Sequence, residues 1–276
     1  MPAANERALE KAKTLDADSI IFDLEDAVAP DSKESARIAA CTAASSGEYG
    51  RRELTIRCNG LDTPWGADDL AAAAVSNAAA VVVPKVGSVA YIDEVAERLA
   101  EAGAPSSMTV WAMIETPTAI FDVRAIAAHP SVSVLVMGTN DLARELRAPL
   151  VAGRTALLAH LAIAVLAARE AGKVILDGVY NDVKDLQGFE RECRQGVEFG
   201  FDGKTLIHPG QIDVANQAWA PSPEEVGQAR RTIAAFEAAV ADGRGVATVD
   251  GRMIENLHVF NAQRVLATAE AIASLA

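Results

Sequence analysis

Positive charge is scarce in this chain. Its 25 Lys and Arg face 38 Asp and Glu, for a net charge of -13 over 276 residues. Neutralising nucleic-acid phosphates needs the opposite surplus, so non-specific nucleic-acid binding is excluded, whereas a phosphorylated small molecule asks only for a local basic pocket. Cysteine is scarce too. Cys41, Cys58 and Cys193 are widely separated, show no paired metal-ligand spacing and are odd in number, which argues against a full disulfide framework and fits a reducing cytoplasm. No apolar run approaches the roughly 20 residues that span a bilayer. The N-terminus is charged, with helical pattern from about Asn5, and lacks signal-peptide character. The expectation is a soluble cytoplasmic protein without a membrane or nucleic-acid partner. Aromatics supply only 5% of residues, so the core rests on other side chains.

Those side chains are Ala, Val, Leu and Ile, which dominate a 50% hydrophobic content and suit parallel strands covered by helices. Short apolar runs read DSIIFDLE (18–25), ELTIRC (53–58), AAVVVPK (79–85), MTVWAMIE (108–115), VSVLVMG (132–138), KVILDGVY (173–180) and GKTLIHP (203–209). Between them lie Ala-rich stretches of helical period. Strands alternating with helices imply a parallel sheet with right-handed crossovers. Regular spacing, with no Gly-rich phosphate loop after the first strand, favours an α/β fold of the (β/α)₈ TIM-barrel type over a dinucleotide-binding sheet. Seven strands are counted, one short of closure, and an eighth is expected to precede Met1 in the natural protein. Residues 1–220 form the expected barrel. Residues 221–276, with two further helices around a short turn-containing segment, form a C-terminal helical extension expected to pack on a neighbouring subunit.

Reactive groups in such barrels come from the C-terminal strand ends. Here these ends carry Asp23, Glu25 and Asp26; Arg57 and Asn59; Lys85; Glu115; Asn140 and Asp141; Asp177; and His208. Glu115 closes a fully apolar run and Asp141 follows the next run closely, so the two carboxylates fall on adjacent parts of one rim. Two carboxylates completed by water and a bidentate substrate suit Mg²⁺; alternatively, both acids are helix N-caps. Arg57 is placed to clamp a carboxylate or an enolate oxygen, or to pair with Glu25 or Asp26. The latter two acids are candidates for a supporting shell around the metal or Arg57. Lys33, Arg37 and Lys85 are candidate phosphate anchors for a large cofactor, with plain solvation as the alternative. His208 reads equally as a structural histidine, and the cysteines read as core.

In order along the chain, IIFDLEDAVAPDSKESAR, TIRCNGLDTPWGADDL, VVVPKV, AMIETPTAI, VMGTNDLARELRA, GFDGKTLIHPGQI and PSPEEV resemble the citrate lyase β-subunit-like proteins. These are CoA ester lyases of the HpcH/HpaI aldolase superfamily. The resemblance implies a (β/α)₈ barrel, a homotrimer or hexamer, Mg²⁺, and cleavage or condensation of β-hydroxyacyl-CoA thioesters such as malyl-CoA and citramalyl-CoA. Coenzyme A then enters as part of the substrate, and an α-oxo acid as its partner; some members hydrolyse the thioester instead. It further implies that Glu115 and Asp141 ligate the metal and that Arg57 binds substrate and steadies the enolate. The backbone around Gly138 and Thr139 holds the oxo-acid carboxylate, and Asn140 and Lys85 join the expected substrate-binding set. Catalytic roles are expected for Arg57, Glu25, Asp26 and Glu255.

The chain departs from the family at three places. The family's first strand, R-S-x-L-x-x-P, would end at Pro2. Met253-Ile254-Glu255 stands where lyases carry M-I-D, whose aspartate enters a neighbour's site; the added methylene shifts the carboxylate's reach, and such misplacement costs on the order of 10²-fold in rate. GTNDL stands for the more usual GxEDL. The leading expectation is a Mg²⁺-dependent retro-Claisen lyase. The rivals are a thioesterase using the same metal, an aldolase of free acids, and an accessory subunit of a larger lyase complex.

Overall fold

The computed structural model describes residues 1–275, which divide into two compact units, Met1–Ala215 and the remainder from Asn216. The first unit holds seven strands: β1 (Ser19–Asp23), β2 (Glu53–Arg57), β3 (Ala80–Val83), β4 (Thr109–Ile114), β5 (Val132–Met137), β6 (Val174–Asp177) and β7 (Gly203–Lys204). Each falls inside one of the seven apolar runs. They form one parallel sheet in sequence order, a TIM-barrel-like α/β half-barrel. Helices α1 (Glu6–Ala12), α2 (Lys33–Ser45), α3 (Gly66–Ala74), α4 (Val89–Glu101), α5 (Pro117–Ala128), α6 (Thr139–Glu145), α7 (Leu158–Ala171), α8 (Leu186–Phe199) and α9 (Ile212–Trp219) alternate with the strands or flank them. Beside β1, Pro2 makes an isolated parallel bridge to Asp23, and the Asp23 N–H donates to Met1 O at 2.8 Å. The first residues thus run alongside β1, where the resemblance puts a strand's end.

Alternation along the strands decides what faces inward. Ala80 and Val82, Trp111 and Met113, and Val134 and Val136 form one buried cluster, joined by Ile21 and Leu176. Two residues further along this face come Asp23, Glu115 and Gly138, and Arg57 is opposite Asp23 in the β1–β2 register. The pleat that buries the core therefore carries these groups to one rim.

A second buried group is ionic. Arg154 Nη1 donates to Asp177 at 2.6 Å, and Lys204 Nζ to Asp177 and to Glu192, both at 2.8 Å. The side chains of Asp177 and Lys204 are fully buried, so this set ties the ends of β6 and β7 to α8.

The second unit comprises α10 (Pro223–Ala241), the hairpin β8 (Ala247–Val249) and β9 (Arg252–Ile254), and α11 (Asn256–Leu275). Ser222 and Glu225 close a capping box at the start of α10. The hairpin turn is Asp250-Gly251, with φ of 51° and 77°, the conformation that Asp-Gly accepts readily. Its core is Ala239, Ala247, Val249, Ile254 and Val259. Among the described residues, no helix is long and apolar enough to cross a membrane.

Candidate active site

The rim begins with Asp23, whose carboxylate receives Arg57 Nε and Nη2, both at 2.6 Å, and the backbone N–H groups of Glu25 and Ala27 at 2.9 and 3.1 Å. Burial pushes the Asp23 carboxyl up, but the guanidinium outweighs it and the pKa lies below its ordinary value. Arg57 Nη1 reaches Glu25 at 3.0 Å and Asp26 at 3.5 Å. The ion-pair alternative for Arg57 is therefore present, with Asp23 as a third and stronger partner. Asp26 is largely exposed at its side chain, whereas Glu25 is mostly covered. Glu25 also meets Lys85 Nζ at 3.2 Å, so it bridges two cations. Burial, then the hydrogen bond with Asp26, pushes its carboxyl above the ordinary range.

Glu115 is 2% exposed and accepts the Lys85 N–H at 2.7 Å. It does not cap a helix: Thr116 caps α5, accepting the Ala119 N–H at 3.1 Å. Burial is the main cause that pushes its carboxyl up to about 7; the Lys85 N–H opposes this, while the charges of Asp141 and Glu25 reinforce it. Gly138 packs so closely that a Cβ there would collide with Glu115 Cβ and Oε2. Asp141 lies in the first turn of α6 and pairs with Arg144 at 2.8 Å. Neighbouring Asn140 forms a reciprocal amide pair with Asn181, at 3.1 and 2.8 Å, which joins the start of α6 to the loop after β6. Thr139 is buried, and Gly178 stands so near that a Cβ would strike its hydroxyl.

Two phosphate-anchor expectations need correction. Lys33 is buried, its ammonium spent on Leu24 O, Glu25 O and Asn59 Oδ1. Arg37 is bound to Asp69 at 2.7 Å. Both were drawn inward by partners 8 to 32 residues distant, which spacing does not reveal. Lys85 keeps a half-exposed side chain. His208 takes the structural reading: its Nδ1 accepts the Gly210 N–H at 3.0 Å. Glu255 lies in the second unit directly after β9, its N–H donating to His258 Nδ1 at 3.0 Å. Arg144, Asn181 and the pairing of Asp23 with Arg57 went unread. The last was accessible from strand alternation and Arg144 from its i,i+3 spacing to Asp141 on α6; Asn181 had no signal.

The donor set fits a hard divalent ion. Glu115 is a buried carboxylate, and no Lys or Arg within 4 Å pairs with it among the described residues. Asp141 offers more oxygen nearby, and Mg²⁺ binds through one or two carboxylates while keeping waters and substrate oxygens. Among the described residues, no group of three or more His, Cys, Asp and Glu side chains is arranged to hold a metal, so a site here would be of that two-carboxylate kind.

Parallel strands with acids and an arginine gathered at their C-terminal ends are the arrangement in which barrel folds place their active sites. Residues 1–209 match the HpcH/HpaI aldolase/citrate lyase family, and the chain belongs to it. It is 49% identical over 274 residues to a (3S)-malyl-CoA thioesterase of Cereibacter sphaeroides, covering 99% of this chain and 94% of that protein. Citrate lyase subunit beta of Leuconostoc mesenteroides subsp. cremoris is 34% identical over 277 residues, covering 98% and 92%. The crystal structure of CitE from Mycobacterium tuberculosis, in complex with magnesium, acetoacetate and coenzyme A, superposes with a TM-score of 0.82 at 30% identity, covering 98% and 96%.

Proposed function

We propose that this chain is a Mg²⁺-dependent enzyme that hydrolyses a β-hydroxyacyl-CoA thioester of the (3S)-malyl-CoA type. The observation that carries it is Glu115: a buried carboxylate, raised to about 7 and without a Lys or Arg paired to it within 4 Å among the described residues, beside Asp141 and the Arg57 cluster. The 49% identity to a (3S)-malyl-CoA thioesterase supports hydrolysis over carbon–carbon cleavage.

Glu115 and Asp141 would hold the ion, which supplies a Lewis acid for the substrate's hydroxyl and carboxylate oxygens. Arg57, oriented by Asp23, offers Nη1 to the thioester oxygen as negative charge develops there. Glu25, beside Arg57 and raised by burial, takes the proton from an attacking water; Asp26 holds its carboxyl by hydrogen bond. Water adds to the carbonyl carbon, the C–S bond breaks, and CoA leaves as the protonated thiol. The backbone at Gly138 and Thr139, with Asn140, receives the substrate's free carboxylate, and Lys85 faces the CoA portion.

The second reading, favoured by the 34% identity to a citrate lyase β subunit, is retro-Claisen cleavage to an α-oxo acid. There Arg57 steadies the thioester enolate, and Glu255 from a neighbouring subunit of a homotrimer or hexamer moves the proton. Purified protein with Mg²⁺ and (3S)-malyl-CoA separates the two. Free CoA and malate without glyoxylate are expected; glyoxylate with acetyl-CoA would replace hydrolysis by the lyase reading, and no turnover would end both.

A further inference from the structure

Lys33 is a buried ammonium, 6% exposed, whose hydrogen-bond partners are all neutral. Removing a charge from water is costly unless its donors are satisfied, and an ammonium has three. Here all three are used: Leu24 O at 2.7 Å, Glu25 O at 2.6 Å and Asn59 Oδ1 at 2.7 Å. Nζ also lies 5.2 Å from the centroid of the Trp65 ring, an arrangement that favours a cation. Asn59 is fixed in turn, donating to Leu24 O at 3.0 Å and to Asp69 at 2.6 Å. The backbone of Glu25 is therefore pinned on both sides, its N–H by Asp23 and its carbonyl by Lys33. From this placement its carboxylate reaches Arg57 and Lys85 together.

We propose that Lys33 is a positioning residue that holds Glu25 against Arg57 for the proton step. It makes no contact with substrate. This inference rests on the role given above to Glu25, and it assigns a task to a lysine that the sequence suggested for phosphate binding.

The test is a double-mutant cycle in the full chain with Lys33→Met and Glu25→Gln. Lys33→Met is expected to lower kcat at least tenfold with KM changed less than threefold, and Lys33→Arg, which keeps charge and donors, to recover part of the loss. The double variant should be no slower than Glu25→Gln alone, since both remove one device. Independently of turnover, hydrogen exchange at the Glu25 and Ala27 amides should accelerate at least tenfold in Lys33→Met. A raised KM at unchanged kcat, multiplicative losses in the cycle, or unchanged exchange would each overturn the proposal. If Lys33→Met does not fold, Lys33→Arg enters the same cycle. If the wild-type protein releases neither free CoA nor oxo acid, the functional reading falls, while amide exchange still decides whether Lys33 holds the loop.

Discussion

Glu115 is a buried carboxylate with no Lys or Arg paired to it within 4 Å among the described residues. Its pKa rises from 4.5 to about 7 because burial disfavours the anion. Between those values the folded chain binds more protons than the unfolded one, so metal-free stability falls as pH rises from about 4.5 to 7, by roughly 3 kcal/mol. Glu115→Gln removes this dependence. Without metal, the variant should melt several degrees above the wild type at pH 8, and the two should converge near pH 4.5. Added Mg²⁺ should raise the melting temperature of the wild type alone. A wild type as stable as the variant at pH 8 without metal would refute the uncompensated charge. Gly138 is the companion case. Its replacement by Ala places a methyl against Glu115 Cβ and Oε2, and overpacking of this kind costs about 1–3 kcal/mol. Calorimetric titration should show Mg²⁺ affinity reduced at least tenfold; unchanged affinity would mean the loop yields freely.

At the scale of elements, the seven strands were legible because parallel strands covered on both faces read as unbroken apolar runs, as AVVV of β3 does. The helix at Pro223 was legible from its start signal. Glu115 and Asp141 were read as candidates because strand ends are where such barrels keep their chemistry. What stayed hidden were pairings between elements. Lys33 with Asn59, and Arg154 and Lys204 with Asp177, lie 23 to 27 residues apart, and no periodicity links a charge to a partner at that separation. The Asp177 set shows why this matters. Lys204 is fully buried between Asp177 and Glu192, so Lys204→Met leaves Arg154 alone facing two carboxylates. Removing one partner of a buried pair costs about 3 kcal/mol or more. The urea midpoint should fall accordingly with an unchanged m-value; a midpoint within experimental error of wild type would show the cluster contributes little.

For the whole molecule, the decisive matter is which chain completes the site. The acids, Arg57 and Lys85 belong to the unit ending at Ala215, and Glu255 to the unit that follows. If Glu255 serves a neighbouring subunit, as proposed for the lyase reading, Glu115→Gln and Glu255→Gln are defects in different halves of a shared site. Each variant should be inactive alone. In an equal mixture with free subunit exchange around a closed ring, one site in four joins an intact Glu115 half to an intact Glu255 half, so about a quarter of wild-type activity should return. Native mass spectrometry establishes that exchange has occurred. Mixed oligomers without recovered activity would place Glu255 in its own subunit's chemistry. A Glu255→Gln variant active by itself would free that carboxylate from any proton transfer, and the proton step would then rest on Glu25.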